Sequence, residues 1–269
     1  MLRAVCASGI GMRPTHEDNF LLNGKIIEKE IQQRMPELKM IQYQSVCSKK
    51  VNFITVSDGM GGHNAGEIAS YYCMKEFAAL EEKVQNCISI NEVVSRIQQE
   101  IVYINSSICE MGNRYVGLYG MGTTLVMLVN YETEYVLLNI GDSRAYGFGK
   151  QGLWQISKDH TEGQRMVDLG ILTRKEVENF PAKKNLNRYL GYCGIGYQLQ
   201  ADVFELPAST TTVLLCSDGV TDVLNEKKLS DFLNSGASTW NIAEHIVSEA
   251  CQAVNADNAT AIIVELTRR

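Results

Sequence analysis

The chain is poor in proline, tryptophan and histidine, and it contains no long apolar run and no long basic run. Among its 269 residues there are 4 prolines, 2 tryptophans and 4 histidines. The apolar stretches TLVMLV and YVLLNI are far shorter than the roughly 20 residues that span a bilayer, so no membrane insertion is expected. Lys and Arg total 25 against 31 Asp and Glu, a net charge of -6, and basic residues gather only in short groups such as Lys183-Lys184. A nucleic acid is therefore not an expected partner.

A zinc site is not indicated either. The 8 cysteines form no C-x-x-C pair, and several lie in apolar segments where a thiol packs as a small hydrophobic group. We therefore expect reduced thiols. The first residues contain no signal-peptide core, which together with the unpaired cysteines indicates a cytoplasmic protein.

The apolar content of 45% is typical of a soluble globular domain, and no repeat, low-complexity tract or Pro/Gly linker divides the chain. A single domain over residues 1–269 is predicted. Apolar runs and period-2 alternation predict strands at 6–10, 19–22, 51–57, 122–130, 134–145, 152–156, 211–216 and 260–266. Helical spacing predicts helices at 64–80, 91–111, 162–169, 173–180, 226–234 and 239–254, the first of them capped by Asn64.

The predicted strands follow one another without helical crossovers, which favours antiparallel pairing. Two strand clusters and two helical pairs predict an α+β fold: a four-layer α-β-β-α sandwich with two mainly antiparallel sheets inside and helical pairs outside. Residues 161–198 interrupt this pattern and are predicted to form an irregular flap. Residues 23–50 form a polar connection of mixed charge, interpreted as a solvated excursion, with a docking surface as the alternative.

Aspartates stand at the ends of several apolar runs. Asp58, Asp142, Asp218 and Asp257 each occupy such a position, and Glu17 and Asp18 add two carboxylates near the N-terminus. An isolated Asp-Gly is commonly just a turn, and an Asp at a strand end often caps the next element. Several acidic residues at compatible points shift the interpretation toward one shared site, because unpaired carboxylates are costly beside strand interiors.

Carboxylates without accompanying His or Cys are ligands typical of magnesium or manganese. Two such ions, about 3.5 to 4 Å apart, activate a water for hydrolysis of a phosphate ester. Arg13, four residues before Glu17, is the candidate clamp for the phosphate, because a guanidinium can hold two of its oxygens. Gly59 permits a tight turn beside Asp58 and can offer its carbonyl to a metal.

Other nucleophiles and proton donors are less favoured by their sequence context. His16 and His63 lie near the acidic residues and could touch phosphate or the leaving group, whereas His245, on a helix, is interpreted as structural. No serine lies in a G-x-S-x-G elbow, and Cys216 lacks the C-x5-R loop of a cysteine phosphatase.

Seven motifs, taken in order, resemble those of the PPM, or type 2C, metal-dependent serine/threonine protein phosphatases, most closely the bacterial branch. They span almost the whole chain. The motifs are RPTHEDN at 13–19, DGMGGH at 58–63, GTT at 122–124, GDSR at 141–144, DH at 159–160, SDGVTD at 217–222 and DN at 257–258.

The resemblance implies a β-sandwich with a binuclear Mn²⁺ or Mg²⁺ centre, and it implies a role for each matching residue. Asp58 matches the bridging ligand and Gly59 its carbonyl partner. Glu17, Asp218 and Asp257 match the remaining protein ligands. A third, weaker ion is implied at Asp142, Asp218 and Asp222. Arg13 matches the phosphate-binding arginine, and Asp18 and Asn258 match residues that support the ligands.

One departure concerns proton transfer. Animal members carry a histidine directly after the Asp-Gly pair as the proposed general acid, and this chain has Met60 there. The expected function is removal of phosphate from phosphoserine and phosphothreonine proteins, opposing a cognate kinase, by a monomeric enzyme. Two alternatives stay open: a specialised phosphatase of one regulator, such as a phosphorylated anti-sigma antagonist, and a catalytically silent phosphoprotein-binding module.

Overall fold

The computed structural model describes residues 2–61, 65–194 and 198–267, and within them it contains twelve strands and eight α-helices. The strands are β1 Leu2–Gly9, β2 Asp18–Leu22, β3 Met40–Cys47, β4 Val51–Met60, β5 Gly122–Thr123, β6 Leu125–Tyr131, β7 Glu134–Ile140, β8 Arg144–Gly149, β9 Gly152–Gln155, β10 Asp202–Glu205, β11 Thr212–Cys216 and β12 Ala259–Glu265. The helices are α1 Lys29–Leu38, α2 Gly66–Lys83, α3 Ile90–Arg114, α4 Glu162–Asp168, α5 Arg174–Val177, α6 Asp218–Thr221, α7 Glu226–Leu233 and α8 Thr239–Cys251. The predicted cap Asn64 and the candidate His63 lie outside the described residues.

Two sheets form the centre of the molecule. The first has the strand order β3-β1-β12-β11-β8-β9, and the second has the order β10-β7-β6-β4-β2, with β5 added to β4. Every strand pair between described residues is antiparallel. The predicted antiparallel pairing is therefore confirmed.

Three layers of apolar side chains hold the elements together. Successive residues of a strand point to opposite faces, so Phe53 packs toward α2 and α3 while its neighbour Ile54 packs between the sheets. In the same way Cys6 lies between the sheets, whereas Val5 packs under α8 with Ile246. Both sheets are thus covered on both faces, and the α-β-β-α order is confirmed.

Helix starts follow from local capping. Ser89 accepts a hydrogen bond from the backbone of Glu92 at the start of α3, and Ser238 does the same for Asn241 at the start of α8. Such caps satisfy backbone N–H groups that have no partner within the helix. No helix in the described part of the chain has the length and apolarity needed to cross a bilayer.

The prediction for residues 23–50 was wrong. This segment forms α1 and β3, and β3 pairs with β1 at the edge of the first sheet. Ile27 and Met35 are almost fully buried, and their packing explains why the segment forms regular structure. Charged side chains between these apolar residues, such as Glu28, Lys29 and Glu30, are exposed, and they made the segment look like a solvated excursion.

The predicted strand 134–145 is two strands in different sheets. The chain leaves the second sheet after β7 and enters the first at β8, turning at Gly141 with a φ of 100°. A side chain there would be strained and would place its Cβ 2.7 Å from Thr124 Cγ2. This change of sheet brings Asp142 to the end of the sandwich.

The structure departs from the expectation of reduced thiols at one pair, which it shows in the oxidised form. Cys109 on α3 and Cys193 form a disulfide, with Cα atoms 5.8 Å apart, whereas the other six cysteines are free. The two segments lie side by side because the Asn105 side chain accepts a hydrogen bond from the Gly191 backbone at 2.8 Å. A separation of 84 residues conceals this proximity in the sequence.

Candidate metal centre

The acidic residues singled out in the sequence meet at one end of the sandwich. Asp58 lies near the end of β4 and pairs in register with Asp18 at the start of β2. Asp142 lies in the turn between β7 and β8, Asp218 begins α6 after β11, and Asp257 precedes β12. Most of these residues line one cavity of about 350 Å³, which is bounded by Arg13, Glu17, Asp58, Gly59, Met60, Gly61, Thr124, Asp142, Lys184, Leu186, Asp218, Asp257 and Asn258.

Backbone hydrogen bonds fix the position of Asp58. Its N–H donates to Thr124 Oγ1 at 2.9 Å, and its carbonyl accepts from Thr124 N–H and from Thr123 Oγ1, both at 2.9 Å. Thr124 Oγ1 also lies 2.6 Å from Ser143 Oγ, next to Asp142. The motifs GTT and GDSR therefore meet around Asp58, a role for the two threonines that sequence reasoning missed.

Gly59 occupies a place without room for a side chain. A Cβ there would lie 2.1 Å from the carbonyl oxygen of Gly66 and 2.7 Å from that of Glu17. The Gly59 N–H donates to the same Glu17 carbonyl at 3.2 Å. This close approach holds the Glu17 loop, β4 and the start of α2 together.

Gly59→Ala is therefore expected to destabilise the fold by about 1–3 kcal/mol, because the backbone of two neighbouring segments must move. Urea unfolding measures this change. Gly117→Ala is the matched control, since a Cβ at Gly117 would meet nothing within 4 Å. Equal unfolding midpoints for the two variants would contradict the steric argument.

Asp18 and Asn258 hold the segments that carry the site residues in place through hydrogen bonds. Asp18 is buried, and its Oδ2 accepts hydrogen bonds from Ser217 Oγ and Thr260 Oγ1, both at 2.7 Å. Asn258 accepts from the Glu17 N–H at 2.7 Å and donates to the carbonyl of Thr15 at 3.0 Å. The loop that carries Arg13 and Glu17 is thereby fixed against the start of β12.

The carboxylates repel one another strongly. Burial, then the charge of Asp218 and that of Asp18, raise the pKa of Asp58 well above its usual range. Burial and the charge of Asp218 raise the pKa of Asp142 to about 7, and burial also raises the pKa of Asp218 and of Glu17. Opposite charge would relieve this repulsion.

Two cationic side chains form ion pairs with carboxylates of the site. Arg13 Nη2 is 2.5 Å from Asp257 Oδ2, and Lys184 donates a hydrogen bond to Asp222. The predicted third-ion residue Asp222 thus lies beside the flap, in contact with a lysine. Sequence reasoning missed Lys184 as a site residue. Its only signal was its place in a basic pair within the flap.

The histidine alternatives are resolved in part. His16 is buried, with Nε2 3.1 Å from Ser8 Oγ and Nδ1 3.0 Å from the Asp18 carbonyl, and burial lowers its pKa to about 4. It does not line the cavity, so a role in touching phosphate is not supported. His245 on α8 contacts the ring of Phe232, in agreement with a structural role.

A larger cavity of about 840 Å³ opens beside the carboxylates. It lies between β8, β9 and the flap helices α4 and α5, and it shares Asp142, Lys184 and Asp218 with the smaller cavity. The flap, within its described residues, therefore borders the site.

Comparison with known proteins decides the family. The sequence profile described as Protein phosphatase 2C matches residues 42–252. The chain belongs to this family. Its sequence is 32% identical over 213 residues to the serine/threonine phosphatase stp of Listeria welshimeri, covering 79% of this chain and 83% of that protein. It is 28% identical to the protein phosphatase PhpP of Streptococcus pneumoniae, covering 79% of this chain and 85% of the relative.

Solved structures of phosphatase 2C proteins have the same fold. The serine/threonine phosphatase PstP/Ppp of Mycobacterium tuberculosis superposes with a TM-score of 0.77 at 26% identity, covering 99% of both chains. The catalytic domain of PstP in complex with two manganese ions superposes with a TM-score of 0.74 at 24% identity, covering 98% of this chain and 99% of that one. The predicted fold class and the family resemblance are confirmed.

The carboxylates of the site fit divalent ions in their chemistry but not in their arrangement. Within the described residues, no group of three or more His, Cys, Asp or Glu side chains is arranged so that it could hold an ion as it stands. The donor chemistry nevertheless fits Mn²⁺ or Mg²⁺, because hard carboxylate oxygens crowd one cavity with raised pKa values. Ion binding would require Arg13 and Lys184 to withdraw from Asp257 and Asp222, and both side chains are about half exposed, at 54% and 58%.

Proposed function

We propose that this chain is a metal-dependent phosphatase of phosphoserine and phosphothreonine proteins, acting with two Mn²⁺ or Mg²⁺ ions and with room for a third. The observation that carries the proposal is the meeting of Asp58, Asp218, Asp257 and Glu17 at a cavity that also holds the Arg13 guanidinium. The relatives named as serine/threonine phosphatases support the same reaction.

The proposed ligands are those that the family resemblance implies, and all of them except Asp222 line the cavity of about 350 Å³. Asp58 would be shared by two ions, with Glu17, the Gly59 carbonyl, Asp218 and Asp257 completing their protein ligands. Asp142, Asp218 and Asp222 would hold the third ion. When bound, the ions supply the activation of a water molecule as nucleophile for direct attack on phosphorus.

Neither of the two nucleophilic side chains next to Asp218, Ser217 and Cys216, is free to attack, which agrees with a reaction without a phosphoenzyme. The Ser217 hydroxyl donates to Asp18, and the Cys216 thiol is buried with a pKa raised to about 12 by that burial. Arg13 would orient the phosphate, since its half-exposed side chain lines the cavity. Met60 lines the cavity at the position where animal members carry a histidine. Because a thioether has no acidic proton, this side chain does not supply the leaving-group proton.

Arg13→Ala is expected to raise the KM for a phosphopeptide about 10- to 100-fold, because hydrogen bonds to charged groups contribute about 1.5–3 kcal/mol. Arg13→Lys should recover only part of this loss, since an ammonium cannot hold two oxygens in one plane. Steady-state kinetics measure both. Arg34→Ala on the exposed face of α1 is the control, and an equal KM in Arg13→Ala and Arg34→Ala would contradict the assignment.

The substrate class is tested by comparing phosphoserine, phosphothreonine and phosphotyrosine peptides in Mn²⁺, Mg²⁺ and EDTA. Turnover of the first two peptides that disappears in EDTA is expected. Selective turnover of one phosphorylated regulator among several would favour the specialised phosphatase. Binding of phosphopeptides without turnover in either metal would favour the catalytically silent module. The presence of every proposed ligand residue argues against that alternative.

We propose a monomer that opposes a cognate serine/threonine kinase in the cytoplasm. The disulfide gives this location a test, because the cytosol keeps thiols reduced. Cys109 and Cys193 should therefore both be alkylated when intact cells are lysed into iodoacetamide, with the pair closing after exposure to oxidant. Detection of the disulfide in most of the protein at lysis would contradict the proposed compartment.

A further inference from the structure

His160 connects the flap to the turn that carries Asp142. Its imidazole is 6% exposed, and the Gly141 N–H donates to its Nδ1 at 3.0 Å. A backbone N–H can only donate, so Nδ1 must be unprotonated. The ring proton then lies on Nε2, which is 3.2 Å from Asp202 Oδ2 and donates to it.

The backbone of His160 makes the same connection a second time. Its N–H donates to the Gly141 carbonyl at 2.9 Å, and its carbonyl accepts from the Asn187 N–H at 2.9 Å. The Gly141 turn is thus held by one residue through both its N–H and its carbonyl. Asn187 belongs to the returning end of the flap.

The two ends of the flap close on this residue. Thr161 and Leu186 form a β-bridge, and the Glu162 N–H donates to the Asn185 carbonyl at 2.8 Å. Asp202, which orients the His160 ring, is held in turn by Arg188 at 2.8 Å. A continuous chain of contacts therefore runs from the flap through His160 to Asp142.

The ring is kept neutral by its surroundings. Burial, followed by the nearby Arg188 charge, lowers the pKa of His160. A neutral ring can accept from Gly141 and donate to Asp202 at the same time, whereas a ring protonated on both nitrogens would lose the first bond.

We infer that His160 is a positioning residue, whose neutral ring ties the Gly141–Asp142 turn to the flap base and so holds the Asp142 carboxylate beside Asp218. This inference rests on the proposed function, because Asp142 matters as a ligand. His160 itself does not line the cavity of about 350 Å³, so it acts through the turn and not on substrate.

The first test needs neither metal nor turnover. Long-range ¹H–¹⁵N correlation spectra of the metal-free protein at pH 7 should show His160 as the tautomer protonated on Nε2, and the Gly141 amide should exchange slowly. In His160→Ala the Gly141 amide should exchange faster. In His160→Asn it should stay protected, because Asn Oδ1 occupies the place of Nδ1. An Nδ1–H tautomer, or equal exchange in all three proteins, would overturn the inference.

The second test measures metal binding by calorimetric titration with Mn²⁺. The weakest-binding ion should lose about 10- to 100-fold in affinity in His160→Ala, the range typical of residues that orient metal ligands, with recovery in His160→Asn. Asp202→Asn, which leaves the ring in place, should give a smaller loss and serves if His160→Ala does not fold. Unchanged Mn²⁺ affinity in folded His160→Ala and Asp202→Asn would overturn the inference.

Kinetics separate this inference from the proposed function. Phosphopeptide kcat should fall in His160→Ala while KM stays near that of the wild type, since Arg13 is untouched. A wild-type protein without any turnover would sink the proposed function, yet the tautomer, the amide exchange and the Mn²⁺ affinity would still decide the role of His160.

Discussion

Asp58→Asn is expected to reduce metal-dependent phosphate release by at least about 10³-fold in kcat/KM, a change of about 4 kcal/mol in transition-state stabilisation. Burial, followed by the charges of Asp218, Asp18 and Asp142, raises the pKa of Asp58, so three other carboxylates lie near it. Asparagine keeps the shape of the side chain but removes the charge and one metal-ligating oxygen.

The variant should remain folded, because the bonds that position residue 58 involve its backbone and Thr123 and Thr124. The assay is phosphothreonine-peptide hydrolysis in saturating Mn²⁺, with unfolding in urea as the check on the fold. Asp231→Asn, on the exposed face of α7, is the control for loss of one negative charge. A turnover rate in Asp58→Asn equal to that of Asp231→Asn would refute the shared-ligand role.

The metal-free protein is expected to lose stability as the pH rises from about 4 to about 7. Burial raises the folded-state pKa of Asp142 and of Asp18 from 3.8 to about 7. In this interval the folded state holds protons that the unfolded chain has released. Each group's contribution is fully present below the unfolded pKa and is lost as the pH rises through the folded pKa. The loss is at most about 4 kcal/mol for each group.

Urea unfolding in EDTA at pH 4.5, 6 and 7.5 measures this dependence, and Asp142→Asn isolates it, because an amide does not titrate. The free energy of unfolding of the wild type should fall relative to that of Asp142→Asn as the pH rises. Mn²⁺ at pH 7.5 should stabilise the wild type more than the variant, since the ion neutralises the carboxylates. If the free energies of unfolding of the two proteins changed in parallel with pH, the pKa of Asp142 would not be raised in the folded state.

The fold was predictable where one local pattern decides the structure. β4, β11 and β12 are nearly continuous apolar runs, and α3 and α8 show a clear helical period with a serine cap. The segment around α1 and β3 was not predictable, because polar residues interrupt the apolar pattern of the edge strand β3, MIQYQSVC. Nor did any local pattern indicate that the chain changes sheets at Gly141.

The site residues also divide into those that the sequence predicts and those that it does not. Its carboxylates were predictable, because Asp at the end of an apolar strand is visible in the sequence. Lys184, Thr124 and Thr260 act through contacts with residues that are distant along the chain, at Asp222, Asp58 and Asp18. Such contacts, like the Cys109–Cys193 disulfide, depend on how the flap and the sheets pack together.

The most direct test of the proposed metal centre is calorimetric titration of Mn²⁺ into metal-free wild type and Asp58→Asn at pH 7.5. The proposed centre predicts at least two ions bound per wild-type chain, and loss of tight binding in the variant because both ions would depend on one shared carboxylate. Absence of Mn²⁺ binding by the folded wild type, or equal stoichiometry and affinity in the two proteins, would contradict a binuclear centre built on Asp58.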